Sequence, residues 1–253
     1  MPFTPAHPAL VLPLLRPWHR QLSATALVLG AMAPDFEYFL RLRPDGIYGH
    51  TLAGIFWLDL PLILVFAWLF HNLVKRPLVQ SLPDLLRARL LPLVGAAWPG
   101  RRLLSAPVLL GALLGCVSHI VWDWFTHDDG LVVRHWPLLR QVLPGFALGW
   151  PLYTFLQYVS TFIGLGSILW FILKLPAQPT AAPPPTRTRF TFWLATGAVL
   201  LLLWGPFMIY SASIWPFDAN SVLVTGMSAG LVGMLVAAGT LRRRLAGPAA
   251  ALS

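Results

Sequence analysis

The 253-residue chain is 57% hydrophobic and only 11% charged. Because soluble domains carry about 25% charged residues, this composition excludes an ordinary soluble globular protein. The formal net charge of +9 does not predict nucleic-acid binding, since most Lys and Arg residues lie between or just after long apolar runs, where membrane proteins carry them. We therefore expect an all-α, polytopic helical membrane protein that binds no nucleic acid.

The N-terminal region contains two apolar stretches, 5–15 and 22–34, that are each too short to cross a bilayer. A short basic and aromatic segment around Trp18 separates them. We predict a short helical hairpin that dips into the membrane, turns near Trp18 and returns Asp35 to the level of His7.

Local signals predict where the helices of this hairpin begin and end. Thr4 is a candidate N-cap of the first helix, with Pro5 at the first helical position. Ser23 is a candidate N-cap of the second helix. Pro34 predicts that the second helix ends near Ala33, because a residue that precedes proline disfavours the helical conformation.

Five further apolar runs are long enough to cross a bilayer, which takes about 20 residues. They cover residues 53–74, 104–126, 150–173, 191–210 and 221–241. The first run contains Asp59 and the second contains His119 and Asp123, whereas the last two contain no ionisable side chain. We therefore predict five full spans in addition to the N-terminal hairpin.

The distribution of basic residues predicts the orientation of these spans. Segments 75–103 and 174–190 and the tail after residue 241 hold most of the loop Lys and Arg residues. The positive-inside rule therefore predicts that all three, and with them the C-terminus, are cytoplasmic. Within the first segment, the Leu-rich stretch 83–98 predicts an amphipathic helix on the cytoplasmic surface. Loops 41–52 and 127–149 then face outward.

A proline-rich stretch divides the chain into three parts. We predict a membrane domain at 1–175, a stiff linker at 176–190, and a C-terminal transmembrane hairpin with a basic tail at 191–253. All seven histidines and eight of the nine acidic residues precede the linker. We therefore expect any chemistry in the first part, and an anchoring role for the third.

The sharpest chemical signal is the triplet His119, Asp123 and His127, which recurs every four residues at the outer end of an apolar run. Each step of four residues on a helix drifts by only about 40°, so the three side chains share one stripe. Ionisable residues inside a span are costly and face partners or a polar cavity. The pattern predicts metal ligation, and the alternative is a structural polar cluster between helices.

Other His and carboxylate residues reach the same level in this topology. Asp35 and Glu37 follow the end of a predicted helix, His50 precedes the next span, and the hairpin brings His7 to the outer face. Each alone is typical of a surface or interfacial residue, and only their convergence suggests a site. The candidate metal ligands are His7, Asp35, His50, His119 and Asp123. Such nitrogen and oxygen donors suit a divalent metal, with zinc first and manganese or iron as alternatives.

Asp59 lies inside the first span, about nine residues beyond His50. Its carboxylate either orients a metal ligand by a hydrogen bond or bonds to a neighbouring helix for purely structural reasons. The sequence favours neither interpretation.

Four motifs in order carry a resemblance to a known family. They are PFTPAHPA at 2–9, GAMAPDFEY at 30–38, GHT at 49–51 and SHIVWDWFTH at 118–127. Over about residues 1–175 the chain resembles an uncharacterised bacterial membrane family, domain of unknown function family 4184. The resemblance implies an integral protein of the bacterial cytoplasmic (inner) membrane, and it implies no established activity.

A more distant resemblance is to the YdjM-like inner-membrane proteins, described as membrane-bound metal-dependent hydrolases. Their N-terminal His, Pro-Asp element, His before a span, and His-x-x-x-Asp helix correspond to the five candidate ligands named above. The chain departs from that pattern at Glu37 and Tyr38, where those proteins have Asp and His. The likeness implies a metal-dependent hydrolase, without specifying a second metal or the complete ligand set.

Two functional hypotheses follow. The first is a metal-dependent hydrolase of the membrane surface, with Glu37 or His127 as general base. Its substrate would be amphiphilic, lipid-linked or a phosphoester, and would come from the bilayer. The second is a non-enzymatic membrane protein, such as a transporter, a metal-binding scaffold or an assembly factor. The bunching of ionisable residues toward one face and the lack of an internal repeat disfavour a transporter. The oligomeric state is not indicated.

Overall fold

The computed structural model of the chain describes residues 3–15, 21–142, 144–145, 149–179, 182–212 and 218–245. These residues form helices and no strand. Five helices are long and apolar enough to cross a membrane, which confirms the predicted all-α, polytopic fold. The predicted hairpin turn around Trp18 lies outside the described residues.

The N-terminal segment Thr4–Leu15 forms a 3-10 helix rather than the predicted α-helix. Pro8 and Pro13 explain the difference, because a proline inside a helix lacks the N–H group and collides with the preceding turn. Thr4 is the first residue of this helix and not its N-cap. Its hydroxyl bonds elsewhere, as described below.

The second arm of the predicted hairpin is the α-helix Ala24–Gly30. The side chain of Ser23 accepts a hydrogen bond from the Ala26 N–H, which confirms the predicted cap. The α-helix ends three residues before the predicted position, and a separate 3-10 turn, Ala33–Asp35, follows it. The next helix, Phe36–Arg41, begins directly after this turn.

The first long helix covers Leu52–Ser81 and is capped by Thr51. It contains two π-helical segments, Ile55–Asp59 and Phe70–Val74, and Asp59 is fully buried at the end of the first. Such wide turns are rare and are frequently found at functional sites.

The other spans agree with the predicted runs to within a few residues. They are the helices Ala106–Thr126, Leu152–Leu173, Thr186–Ala212 and Ala219–Leu245. The third begins at Thr186, so the last five residues of the predicted linker are helical. The predicted amphipathic helix at 83–98 is shorter than expected. It consists of Asp84–Leu90 and a 3-10 turn, Leu91–Leu93, since Pro92 prevents continuation.

The chain divides into two compact units. The first comprises Met1–Phe36, Ile47–Ala67 and Arg101–Phe171. Within it, the helix Ala24–Gly30 packs closely on Ala106–Thr126. A Cβ atom at Gly115 would lie 2.5 Å from the Leu27 carbonyl oxygen, so only glycine permits this approach. Small residues at such contacts are characteristic of packing between membrane helices.

The second unit comprises Glu37–Gly46, Trp68–Gly100 and Ile172–Ser253. Its helices Thr186–Ala212 and Ala219–Leu245, here called the C-terminal helix pair, pack along each other. Their apolar core includes Phe192 and Ala237, which contact Val74. This core contains no His, Asp or Glu.

Candidate metal centre

The five predicted ligands all belong to the first unit and come from four segments of the chain. His7 lies in the N-terminal 3-10 helix and Asp35 ends the short turn after Ala24–Gly30. His50 precedes the helix Leu52–Ser81, and the helix Ala106–Thr126 carries His119 and Asp123. The structure brings all five side chains together, whereas their roles as ligands stay predictions.

Four ligand atoms form the centre of this cluster. The Nε2 atom of His50 lies 3.5 Å from Asp35 Oδ1 and 3.3 Å from Asp123 Oδ2. The Nε2 atom of His119 lies 3.6 Å from Asp35 Oδ1 and 3.1 Å from Asp123 Oδ2. A tetrahedral metal with bonds of about 2.0–2.1 Å separates neighbouring ligand atoms by about 3.3–3.4 Å. The four atoms therefore have the spacing of a metal coordination shell.

His7 approaches this centre from one side. Its Nε2 atom lies 3.8 Å from Asp123 Oδ1, and its ring stacks on that of His119, with centroids 3.8 Å apart and planes 13° from parallel. His7, His119 and Asp123 form one group that could hold a metal ion, and Asp35, His50 and His119 form another. Because the groups share His119, they describe one cluster.

A glycine and a carbonyl group position the two central histidines. A Cβ atom at Gly49 would lie 2.4 Å from the Pro34 carbonyl oxygen, so glycine allows the turn carrying His50 to approach Asp35. The Nδ1 atom of His119 lies 2.9 Å from the Ala31 carbonyl oxygen. That oxygen can only accept a hydrogen bond, so Nδ1 carries a proton and Nε2 faces the carboxylates.

Thr4 orients the Asp35 carboxylate, and the sequence analysis did not foresee this. Its hydroxyl donates a hydrogen bond of 2.6 Å to Asp35 Oδ2, which leaves Oδ1 directed at the two histidines. Hydrogen bonds of this kind fix the orientation of metal ligands. No local signal could reveal the contact, because 31 residues separate the partners.

The hydrogen bonding of the cluster fits a metal ion. His7, Asp35, His119 and Asp123 are all buried. Both ring nitrogens of His7, His119 Nε2 and Asp123 Oδ1 are buried and have no hydrogen-bond partner among the described residues. Each such atom costs about 1–3 kcal/mol. A cation between them would satisfy His7 Nε2, His119 Nε2 and Asp123 Oδ1, whereas His7 Nδ1 lies on the other side of its ring.

The groups outside the spans have shifted pKa values. Burial lowers the pKa of His7 to about 3, and the neighbouring His119 acts in the same direction. Burial opposes ionisation of Asp35, but His119 and His50 outweigh it and keep the pKa of this carboxyl below its usual value. Burial also works against the charged form of His50, yet hydrogen bonds with Asp123 and Asp35 raise its pKa to about 9. Without a metal, a proton on His50 thus offsets part of the carboxylate charge at neutral pH.

The two predicted general bases have different surroundings. The Nδ1 atom of His127 lies 3.4 Å from Asp123 Oδ1, and the His127 side chain is 24% exposed. Glu37 belongs to the second unit, where its carboxylate accepts a 2.7 Å hydrogen bond from Arg41. His127 therefore lies at the accessible edge of the cluster, whereas the charge of Glu37 is already paired.

Asp59 is fully buried in the same unit as the cluster. One of its oxygens lies 3.4 Å from the position that a Cβ atom on Gly49 would take. This carboxylate is thus close to the turn that carries His50, and both of its predicted roles stay open.

These features define a helical membrane protein with a buried His/Asp cluster that could hold a metal ion. The chain belongs to the family described as a domain of unknown function, DUF4184, whose model matches residues 1–239. No curated protein and no solved structure matches the chain.

Proposed function

We propose that this protein is a metal-dependent hydrolase of the membrane surface. One observation carries the proposal: four His and Asp atoms from three segments lie 3.1–3.6 Å apart across the cluster. Their neighbours include buried nitrogen and oxygen atoms without hydrogen bonds among the described residues. The more distant resemblance to YdjM-like hydrolases supports the same chemistry.

In this proposal His50, His119, Asp35 and Asp123 hold the metal, and His7 is a fifth donor. Two imidazoles with two carboxylates suit zinc best, with manganese or iron as alternatives. A divalent metal bound there would supply Lewis-acid chemistry, since it polarises a carbonyl or phosphoryl oxygen and acidifies water.

His127 is the general base that we favour. Its Nδ1 atom lies 3.4 Å from Asp123 Oδ1 and 3.3 Å from the Asp123 carbonyl oxygen. Nδ1 can donate a hydrogen bond to that carbonyl, and Nε2 is then directed away from Asp123. A base held in this way can take a proton from an attacking water. Glu37 remains the alternative base, and for that role it would have to part from Arg41.

We further propose how the protein is oriented in the membrane that its apolar helices cross. The basic segments and the C-terminus lie in the cytoplasm, and the cluster lies toward the outer face of a bacterial cytoplasmic membrane. Reporter fusions after Arg87 and after Arg244 test this. Both should report a cytoplasmic location, and a periplasmic signal from either would contradict the orientation. Residues 191–253 then act as an anchor without chemistry.

Metal content is the first test of the proposal. The full chain, purified, stripped with a chelator and exposed to Zn²⁺, Mn²⁺ or Fe²⁺ in turn, should retain one of them. The Asp123→Asn variant should retain none, and Asp218→Asn, a carboxylate in the second unit, is the matched control. Equal metal content in the native protein and in Asp123→Asn would refute the proposal.

A metal-binding scaffold is the alternative, and one observation favours it. Five protein groups converge, one more than a tetrahedral zinc needs. A structural site is closed by protein ligands, whereas a catalytic site keeps a position open. Cobalt substitution separates the two, because an added anion such as azide should change the visible spectrum only where a position is open.

A further inference from the structure

An elongated cavity lies beside the candidate metal centre within the first unit. The N-terminal 3-10 helix, Trp122 and one face of the helix Leu152–Leu173 enclose a volume of about 310 Å³, here called the side groove. His7 lines the side groove, and its Nε2 atom lies 3.8 Å from Asp123. His7 is therefore a wall that the side groove and the cluster share.

Specific contacts fix the walls of the side groove. The Phe3 N–H donates a 3.1 Å hydrogen bond to Thr161 Oγ1. A Cβ atom at Gly164 would lie 2.8 Å from the Ala6 carbonyl oxygen, so the two helices touch there. The N-terminal 3-10 helix and the helix Leu152–Leu173 are thus in direct contact beside the groove.

The length of the side groove matches one leaflet of a bilayer. Its lining on the helix Leu152–Leu173 runs from Leu156 to Ser167, which is about 16 Å at 1.5 Å per residue. The hydrocarbon core of a bilayer is about 30 Å thick, so each leaflet contributes roughly half of that. The groove is long enough for most of one acyl chain.

The lining is mostly apolar. The hydroxyl of Ser160, one of its few polar groups, already donates to the Gln157 carbonyl oxygen in its own helix. A sugar, nucleotide or peptide would need several polar groups that converge on it, and the groove offers His7 alone at the cluster. Its chemistry selects a hydrocarbon chain.

The side groove opens toward lipid. Leu10 and Ile163 line it and are 41% and 63% exposed. Apolar side chains exposed on a membrane-spanning helix face acyl chains. A lipid tail can therefore enter sideways from the bilayer, with its polar end toward His7.

We infer that the side groove binds one acyl chain of a bilayer lipid whose ester or phosphoester headgroup lies at the His/Asp cluster. This inference rests on the proposed function and names its substrate class, a membrane lipid rather than a water-soluble ester. The groove determines which lipid is held and how deeply its headgroup is drawn toward His7.

The test uses the full chain in vesicles of phosphatidylethanolamine and phosphatidylglycerol that contain a phospholipid with a diazirine near the end of one acyl chain. After irradiation, peptide mapping locates the inserted lipid. We expect insertion concentrated in residues 6–10 and 156–167. Equal labelling of all exposed helix faces would overturn the inference.

Two phenylalanine substitutions sharpen the result. Ser167→Phe fills the side groove, whereas Gly166→Phe is the matched control, since a Cβ atom there meets nothing within 4 Å. Groove labelling should fall about tenfold in Ser167→Phe, which corresponds to displacing roughly two methylene groups, and should not change in Gly166→Phe. Equal labelling in both variants would refute the groove as the binding site.

Metal content of the same samples separates the two proposals. Unchanged metal binding in Ser167→Phe shows that the cluster still folds, so lost labelling then supports the inference. If the native protein holds metal but the groove is not labelled, the inference fails and the proposed function stands. If the groove is labelled but no metal binds, the proposed function fails, and with it the assignment of the lipid as a substrate.

Discussion

In two regions of this chain a glycine allows two helices to pack closely, and the surroundings of the two contacts differ. Gly115 brings the helix Ala106–Thr126 against the backbone of Leu27, and Gly233 brings one helix of the C-terminal pair within the same reach of the Thr196 backbone. The first contact stands beside His119 and Asp123, whose buried atoms include two without hydrogen bonds. The second lies beside the backbone of Thr196, whose side chain carries a hydroxyl group.

The buried hydroxyls of the C-terminal helix pair are satisfied locally. Thr196 donates to the Phe192 carbonyl oxygen and Thr225 to that of Ser221, each one turn back in its own helix. Such groups need no outside partner. The difference shows that close helix packing alone does not mark a site. Buried polar groups without a hydrogen-bond partner do mark a candidate site, because another interaction has to offset the free-energy cost of burying them.

The largest expected effect is on metal affinity, which substitutions in the cluster should lower and a substitution in the C-terminal helix pair should not change. Replacing His119 or Asp123 with Ala should weaken metal affinity by more than about 100-fold, since loss of a group that only orients a ligand already costs 10–100-fold. Thr225→Ala is the matched substitution in the C-terminal helix pair and should leave affinity unchanged. Isothermal titration of the purified chains measures both. If the Asp123→Ala variant bound metal with full affinity, the two regions would not differ in metal binding.

Substitutions at the two glycine contacts should lower stability alike but should differ in their effect on metal binding. Gly115→Ala and Gly233→Ala should each lower the free energy of unfolding by about 1–3 kcal/mol, because an extra methyl group is forced against backbone. Only Gly115→Ala should also lose metal, since it displaces the segment whose Ala31 carbonyl orients His119. Gly205→Ala, in open space, is the control. Chemical unfolding in detergent with metal analysis measures both effects, and equal metal loss in Gly233→Ala would contradict the comparison.

Thr4 provides a finer test of the cluster. Thr4→Val removes the hydroxyl that holds Asp35 while keeping the shape of the side chain, and should weaken metal affinity about 10–100-fold. Thr4→Ser keeps the hydroxyl and should retain most of the affinity. The same titrations give the answer. If Thr4→Ser were as weak as Thr4→Val, the hydrogen bond would not be the cause.

The last expected effect is on the pH dependence of metal affinity. His50 has a pKa raised to about 9 without metal, so it is protonated at neutral pH and must lose its proton to bind a metal. Metal affinity should therefore rise at least about tenfold per pH unit between pH 7 and 9, and level off above. Titrations in buffers of different ionisation enthalpy measure the proton release. A pH-independent affinity over this range would mean that His50 is not a ligand.

Local sequence signals predicted the spans and part of the cluster. Hydropathy located all five long helices, and Ser23 was correctly predicted as a cap. Prediction was wrong where proline changed the local geometry, as in the 3-10 helix Thr4–Leu15, and at Thr4, whose hydroxyl bonds to a distant carboxylate. In each case a local preference competed with sterics or with a tertiary contact that a sequence window does not contain.

By itself, the sequence determined that the chain has runs long and apolar enough to cross a membrane. It also determined that all seven histidines and eight of the nine acidic residues precede residue 176. It also determined that His119 and Asp123 share a helix face, because the period of a helix is a local property. Only the tertiary structure decided that Thr4 would hold Asp35 and that the Ala31 carbonyl would orient His119. Those contacts join residues 31 and 88 positions apart. The side groove arose in the same way, from how closely separate helices approach one another.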